Sequence, residues 1–244
     1  MKIVDAIIEA RMGSSRLPGK VMLKIKNIPV IDLMFQRLKK SKGIRKIILA
    51  TSINKKDDIL ENWAKKRKVI CFRGSEGNVM QRVLLAAKKN KVKHILNLTA
   101  DCPLIDPFII SQFISIYKSN DCDYLNNCKF RSYPDGMDIQ IYPTKVLQNS
   151  YKFAHTKRLR EHVTLHILEN EEKYRHLNII SEPRLNFPDL RLTLDEIDDF
   201  KLIKKIFIHF FYNKTSFTCL DILSYLKKNK KLFQINKKVK SKIK

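Results

Sequence analysis

The sequence has no apolar run long enough to span a bilayer and no C-x-x-C pair among its five cysteines. Its first residues also lack the apolar core and small-residue cleavage site of a signal peptide. These absences argue against a membrane protein, a disulfide framework and a cysteine zinc site. We therefore expect a protein of the reducing cytoplasm, with no membrane partner.

Acidic residues are scarce, because 24 Asp and Glu face 49 Lys and Arg and give a formal net charge of +25. Such a charge usually suggests a nucleic-acid partner. Here the lysines are spread along the chain, and neither an RNA-binding aromatic signature nor a zinc-finger spacing accompanies them. We interpret most of the charge as solvated surface and a smaller part as a site for an acidic ligand. We expect no nucleic-acid partner, and a basic nucleic-acid-binding protein stays the alternative.

The first half of the chain alternates between short apolar runs and amphipathic segments. The runs "IVDAII", "KIILAT", "VICF" and "HILNLTA" have the pattern of buried strands, and each is followed by a helical pattern, the last beginning near Pro107. Repeated strand–helix units predict an α/β fold with a mostly parallel sheet covered on both faces. The 244 residues suit one large domain.

The pattern changes after about Ser119. We predict one domain over residues 1–235 with a smaller mixed subregion over about 120–190, inserted before the last strand and helix. Within it we expect a helical stretch over 145–172, and "RLTL" at 191–194 is predicted to be a short strand. Residues 236–244 have the composition of a frayed basic tail.

The loop "EARMGSSRLPGKV" over 9–21 follows the first predicted strand. It is not a Walker A loop, because five residues separate its glycines and Val follows its lysine, and it is not a dinucleotide fingerprint. Its small residues allow a polyanion to approach the backbone, and its cations Arg11, Arg16 and Lys20 can neutralise one. The alternative is a solvated basic turn.

Two carboxylates lie at predicted strand ends, Asp101 after "HILNLT" and Asp195 after "RLTL". In parallel sheets ligands bind at the carboxyl ends of the strands, so we expect Asp101 to face the 9–21 loop. Carboxylates beside a triphosphate are suitable ligands for Mg²⁺. The alternative for each is a helix N-cap, which weighs equally for Asp195.

His162 and His166 have the i,i+4 spacing of a helical zinc pair. Glu161 precedes the first histidine instead of following it, and no third ligand is evident. A structural role is therefore favoured over zinc.

Six motifs together resemble the cytidylyltransferase-like sugar nucleotidyltransferases of the spore-coat-polysaccharide type, relatives of the CMP-Kdo and CMP-acylneuraminate synthetases. In chain order they are "ARMGSSRLPGK", "FRGSE" with "VMQR", "TADCPLIDP", "YPDGMDIQIY", "REHVT" and "RLTLDEIDDF". The resemblance implies a Rossmann-like, GT-A-like nucleotidyltransferase fold, a three-layer sandwich. It also implies transfer of CMP from CTP to a sugar or sugar acid, with release of pyrophosphate and with Mg²⁺ as cofactor. Binding without catalysis is a further alternative, but a binding protein would not need the metal carboxylate.

The resemblance assigns roles to particular residues. The catalytic residues it implies are Arg16, Lys20 and Asp101. The nucleotide-binding residues it implies are Ala10, Arg11, Met12, Gly13, Ser14, Arg73, Gly74, Ser75, Arg82, Thr99 and Ala100. The acceptor-binding residues are Asp135, Gly136, Asp138, Glu161 and His162, and the metal ligands are Asp101 and Asp195. Asp138, Asp195 or a metal-bound hydroxide are the candidates for a general base, and a homodimer is expected.

Overall fold

A computed structural model describes residues 2–213 and 216–239 of the chain. The strands are β1 (Val4–Glu9), β2 (Lys24–Ile25), β3 (Ile28–Pro29), β4 (Ile44–Ser52), β5 (Ile70–Gly74), β6 (His94–Thr99), β7 (Tyr124–Asn126), β8 (Gln140–Pro143) and β9 (His176–Asn178). The helices are α1 (Val30–Leu38), α2 (Asp58–Lys66), α3 (Val79–Lys89), α4 (Pro107–Ser119), α5 (Thr144–Phe153), α6 (Lys157–Glu161), α7 (Leu165–Leu168), α8 (Ile197–Asn213) and α9 (Cys219–Lys228).

A seven-stranded sheet with the order β5-β4-β1-β6-β8-β7-β9 forms the centre of the molecule. The predicted strands β1, β4, β5 and β6 pair in parallel, and β1 lies in the middle of the four. Parallel pairing buries both faces of a strand, which explains why β1 is a nearly continuous apolar run. The prediction of an α/β fold with a mostly parallel sheet is confirmed.

Helices cover both faces of this sheet and make a three-layer sandwich. Along β1, Ala6 and Ile8 pack into one core with α1, α2, α4, α8 and α9. Ile7 points to the other face and packs with α3, α5 and α7. Alternate side chains of one strand thus supply both cores, as the two-residue period of a strand requires. Pro107 begins α4, as predicted, and Asp106 caps the helix.

The inserted subregion contributes the antiparallel part of the sheet. Strand β8 runs antiparallel to both β6 and β7, and β9 lies parallel to β7 at the edge. The predicted helix over 145–172 is wrong as one element, because it is broken into α5, α6 and α7. Ala154 and His162 leave helical geometry at the two breaks, and the Thr156 side chain caps the new start of α6.

The predicted strand over 191–194 is also wrong. Only Arg191 pairs, in an isolated bridge with Asp135, and the segment forms no ladder. Its backbone bonds instead join two loops: the Leu192 amide donates to the Asp135 carbonyl at 2.7 Å, and the Leu194 amide donates to the Asp101 carbonyl at 2.7 Å. The segment has the apolar sequence of a strand because it is buried, but it lies next to loops and not next to another strand.

The C-terminal segment is ordered beyond the predicted domain boundary. Asn236, assigned to the tail from the sequence, is buried and hydrogen-bonded to the body of the protein. Residues 240–244 of that predicted tail lie outside the described residues. Within 2–213 and 216–239, no helix combines the length and apolarity that crossing a membrane requires.

Candidate active site

The loop after β1 folds around the carbonyl of Met12. The amides of Ser14 and Gly19 both donate to this oxygen, at 2.9 and 3.0 Å. Gly19 has a φ of 71°, a conformation that costs glycine little. The Met12 amide donates to Asp57 at 2.7 Å, which fixes the loop to the end of β4. These three amides are already hydrogen-bonded within the protein. The positive charge of the loop therefore comes from its cationic side chains.

Lys20 brings the two predicted metal carboxylates together. Its Nζ lies 2.8 Å from Oδ2 of Asp101 and 2.8 Å from Oδ1 of Asp195. Only 11% of the lysine side chain is exposed, so the ammonium is largely withdrawn from water. The expectation that Asp101 faces the 9–21 loop is confirmed, and the same cation bridges it to Asp195.

Positive charge surrounds Asp195 on three sides. Arg16 Nη2 lies 2.9 Å from its Oδ2, and Arg191 contacts the same oxygen. Although burial acts to raise it, the charges of Lys20, Arg16 and Arg191 hold the pKa of Asp195 below its usual value. Burial likewise acts to lower the pKa of Lys20, but the two carboxylates raise it above the ordinary range. The site therefore holds an ionised Asp195 beside an ionised Lys20.

The residues assigned to nucleotide binding in β5, in α3 and in the loop between them mostly support neighbouring loops. Arg73 donates to the carbonyls of Ser52 and Asn54, both at 2.9 Å, and pairs with Asp58 at 2.7 Å. Arg82 is 1% exposed and donates to the Ser75 carbonyl at 2.6 Å. A Cβ on Gly74 would lie 3.0 Å from Phe72 and 3.1 Å from Arg82, so this glycine permits close packing.

Gly13 sits against the loop that follows β5. A Cβ at this position would lie 2.9 Å from Oε1 of Glu76, whose other oxygen accepts from Asn54 at 2.9 Å. The nucleotide-loop residues from β1 and the loop after β5 are therefore adjacent. The remaining members of the set are at the ends of β1 and β6: Ala10 and Ala100 are buried, and Thr99 is exposed.

The predicted acceptor segment is linked to Asp195 through Arg191. Arg191 Nη1 contacts Asp135 Oδ2 at 3.0 Å, so one arginine joins the acceptor segment to the metal carboxylate. Burial raises the pKa of Asp138 to about 6, although Arg131 lies 3.3 Å away and opposes the shift. Because its pKa is closer to neutral pH, Asp138 accepts a proton more readily than an ordinary aspartate.

Glu161 and His162 lie at the end of α6. Glu161 pairs with Arg11 at 3.2 Å and so reaches the β1 loop, whereas His162 is exposed. His166 is buried in α7, and its Nδ1 lies 3.0 Å from the Ser150 hydroxyl. The two histidines therefore do not share one continuous helix, which an i,i+4 zinc pair would require.

Sequence reasoning missed Glu9, the last residue of β1. Its carboxylate accepts from Asn97 Nδ2 at 2.7 Å. Burial raises the pKa of Glu9 to about 7, against the Asn97 hydrogen bond and the charge of Arg82. No short motif contains this pair, because it forms only when β1 and β6 are neighbours in the sheet.

Arg191 and Asp199 were also missed as site residues. Both belong to "RLTLDEIDDF", and the spacing of four residues on either side of Asp195 was the available signal. Arg191 Nε contacts Asp199 at 3.1 Å. Asp199 in turn accepts from the amides of Asp195 and Glu196, at 2.9 and 3.0 Å. The two missed residues thus both contact Asp195, Arg191 at its side chain and Asp199 at its backbone amide.

Comparisons with known proteins show which family the chain belongs to. The sequence model of the cytidylyltransferase family matches residues 6–239 of the chain. The chain belongs to the cytidylyltransferase family. The resemblance inferred from the six sequence motifs is thereby confirmed.

Two relatives and one solved structure show how far the likeness extends. An uncharacterised protein of Methanocaldococcus jannaschii is 33% identical over 242 residues, which is 99% of this chain and 97% of the relative. The spore coat polysaccharide biosynthesis protein SpsF of Bacillus subtilis is 32% identical over 208 residues, 82% of this chain and 85% of the relative. The structure of a cytidylyltransferase from Leptospira borgpetersenii serovar Hardjo-bovis has a TM-score of 0.90 at 34% identity, covering 96% of this chain and 98% of that one. The nucleotidyltransferase fold is therefore confirmed.

Proposed function

We propose that this cytidylyltransferase transfers CMP from CTP to a sugar or sugar acid for surface polysaccharide, in the cytoplasm, as a Mg²⁺-dependent homodimer. The relative named for spore coat polysaccharide biosynthesis supports the sugar class of the acceptor. The five free cysteines suit a reducing compartment. One observation carries the chemistry: a single ammonium bridges Asp101 and Asp195 beside the loop that contains Arg16.

The donor set around Lys20 fits a hard divalent cation. Two carboxylate oxygens already enclose a positive charge there, and Mg²⁺ prefers carboxylate oxygens together with those of substrate phosphates. Among the described residues no group of three or more His, Cys, Asp or Glu side chains could hold a metal by itself. Asp101 and Asp195 would thus share the ion with the triphosphate. The bound metal would supply positive charge to the phosphoryl oxygens.

The residues of this chain then act by position and charge. The acceptor hydroxyl attacks the α-phosphorus of CTP, the bond to the bridging oxygen breaks, and pyrophosphate leaves. Arg16 and Lys20 stabilise the charge that develops on the phosphates, for which Lys20 leaves its bridging position. Asp138 accepts the proton of the attacking hydroxyl, a role that its raised pKa suits.

Pyrophosphate release tests the substrates. The protein would be incubated with each of the four nucleoside triphosphates, together with sugar acids, neutral sugars or sugar phosphates, in Mg²⁺ or in EDTA. We expect release with CTP, a sugar or sugar acid, and Mg²⁺ together. Turnover with UTP, GTP or ATP at the rate of CTP would contradict the nucleotide assignment, and turnover in EDTA would contradict the metal.

Mn²⁺ binding, followed by electron paramagnetic resonance, tests the metal position without turnover. Lys20→Met removes the bridging ammonium, so the free protein should bind Mn²⁺ about tenfold more tightly than wild type. Lys24→Met is the matched control, because Lys24 is an exposed lysine of β2. Equal Mn²⁺ affinities of wild type and Lys20→Met, with and without CTP, would remove the cation site from Asp101 and Asp195.

A further inference from the structure

The segment after α9 reaches the back of the active site through Asn236. This residue is 4% exposed, and its Nδ2 donates to the Arg191 carbonyl at 3.0 Å and to Asp199 Oδ1 at 2.8 Å. A buried amide with two such bonds is a specific contact, because a buried N–H group that has no acceptor is costly. The lysine-rich C-terminal sequence had indicated only a tail.

Asp199 gathers four donors around one fully buried carboxylate. Besides Asn236, it accepts from Arg191 Nε and from the backbone amides of Asp195 and Glu196. The two amides lie at the start of α8, so Asp199 fixes the backbone from which the Asp195 side chain projects. A shift of this carboxylate would move Asp195.

Arg191 fixes the same side chain from the other direction. Its guanidinium spans Asp199, Asp135 and Asp195, and only 7% of its side chain is exposed. Since Nε is held by Asp199 and Nη2 by Asp195, the angle of the Asp195 carboxylate depends on the position of the arginine. Asn236 supports this pair twice, at the Arg191 backbone and at the Asp199 side chain.

We propose that Asn236 is a positioning residue for Asp195, so that the C-terminal segment sets the affinity of the site for the metal–nucleotide complex. The inference rests on the proposed role of Asp195 as a metal ligand. Residues that orient metal ligands from outside typically change metal affinity by about 10- to 100-fold when removed. The segment after α9 accordingly supports the active site from outside, through Arg191 and Asp199.

The test measures Mn²⁺ affinity of the full chain in the presence of a CTP analogue with a non-hydrolysable α,β-methylene link. Asn236→Ala should weaken Mn²⁺ binding about tenfold and raise the Mg²⁺ concentration for half-maximal turnover by a similar factor. Turnover at saturating Mg²⁺ should stay within about threefold of wild type, since Asp195 is displaced but present. Asn236→Ser keeps one hydrogen-bond donor, so its Mn²⁺ affinity should lie between those of wild type and Asn236→Ala. It also serves as a second folded variant.

The matched control is Asn229→Ala, which removes an exposed amide that donates to the Tyr225 carbonyl. It should leave Mn²⁺ affinity unchanged. A lower melting temperature of Asn236→Ala with wild-type Mn²⁺ affinity would overturn the inference and leave a purely structural role. Asp195→Asn separates the two levels: if it binds Mn²⁺ like wild type, the assignment of Asp195 as a ligand fails as well.

Discussion

At the scale of single residues, charge pairing around Lys20 explains how two carboxylates tolerate each other in a partly buried site. Asp195 has three cationic partners, whereas Asp101 pairs with Lys20. In the proposed mechanism Lys20 turns to the phosphates, so Asp101 would lose that partner and could bind another cation. If the proposed metal site is correct, the charge of Asp101 should matter more for metal binding than for the stability of the fold.

Asp101→Asn tests this difference. The amide keeps the size of the side chain and an oxygen that can accept from Lys20, but it removes the negative charge. Turnover should fall about a hundredfold or more, equivalent to about 2.7 kcal/mol of transition-state stabilisation, while the melting temperature changes little. Pyrophosphate release within a few-fold of wild type at saturating Mg²⁺ would show that Asp101 is only a turn former.

Asp138→Asn is expected to trade activity for stability. The pKa of this carboxyl is about 6 in the folded protein and about 4 when unfolded, so ionisation opposes folding. That cost is absent below pH 4, grows as the pH rises to 6, and is constant above. The amide should therefore raise the melting temperature by roughly 3 °C or more at pH 7.5 and hardly at all at pH 4, while turnover falls.

The exposed Asp189 provides the control for this pair of measurements. Asp189→Asn should change neither the melting temperature nor its pH dependence. An equal stability gain for Asp138→Asn at pH 4 and pH 7.5 would show that ionisation of the Asp138 carboxyl does not destabilise the fold. Unchanged turnover would remove Asp138 as the proton acceptor.

At the scale of elements, the sequence predicts what local pattern and strand order determine. The apolar runs of β1, β4, β5 and β6 and the strand-end rule placed Asp101 opposite the phosphate loop. They could not predict residues 191–194, where the burial pattern of a strand comes from packing between two loops. They also missed the Glu9–Asn97 pair, since no sequence spacing encodes a contact across two strands.

Gly136→Ala tests the loop that joins the acceptor segment to residues 191–194. Gly136 has a φ of 103°, and an added Cβ would lie 2.8 Å from the Leu192 carbonyl carbon and 2.9 Å from the Thr193 nitrogen. Both neighbours are backbone atoms that cannot rotate away. We expect a loss of at least about 2 kcal/mol, or roughly 4–8 °C in melting temperature.

Gly77→Ala is the matched control for that substitution. A Cβ there would meet nothing within 4 Å, and Gly77 is not among the glycines of positive φ. Its melting temperature should stay within about 1 °C of wild type. If Gly136→Ala is as mild, the close approach of the two loops is not required for the fold.

At the scale of the whole molecule, the net charge of +25 is much larger than the three cations of the 9–21 loop account for. Many cations are paired locally, as Arg73 is with Asp58 and Glu61, and Arg175 is with Asp121 and Asp123. Surface pairs of this kind neutralise charge where it stands and do not form an array that matches the phosphate spacing of a duplex. The total charge can be counted from the sequence, but which cations pair with carboxylates depends on the fold.

Binding to random duplex DNA should accordingly be weak and disappear near physiological salt, about 0.15 M. Fluorescence anisotropy of a labelled duplex at increasing salt measures this directly. Affinity that persists at higher salt, or a steep slope from many phosphate contacts, would favour the nucleic-acid-binding alternative.

The inserted subregion argues for a homodimer. Strand β9 forms the edge of the sheet, and the nearby Phe130 and Ile180 are 57% and 68% exposed. Their segments are joined, because the Ser181 amide donates to the Ser132 hydroxyl at 2.8 Å. An open strand edge beside exposed apolar side chains is a surface that proteins usually cover. A second copy of the chain would cover it in a symmetric pair.

Light scattering coupled to size exclusion should therefore give twice the monomer mass at micromolar concentration. Replacing both Phe130 and Ile180 by Ser should give a monomer that keeps the wild-type circular dichroism, because neither side chain belongs to the buried core. Phe108→Ser is the matched control: Phe108 is 62% exposed but lies on α4, outside the inserted subregion, so its removal should leave the dimer intact. A wild-type monomer would contradict the homodimer. A dimer that survives the double substitution and dissociates with Phe108→Ser would place the interface elsewhere.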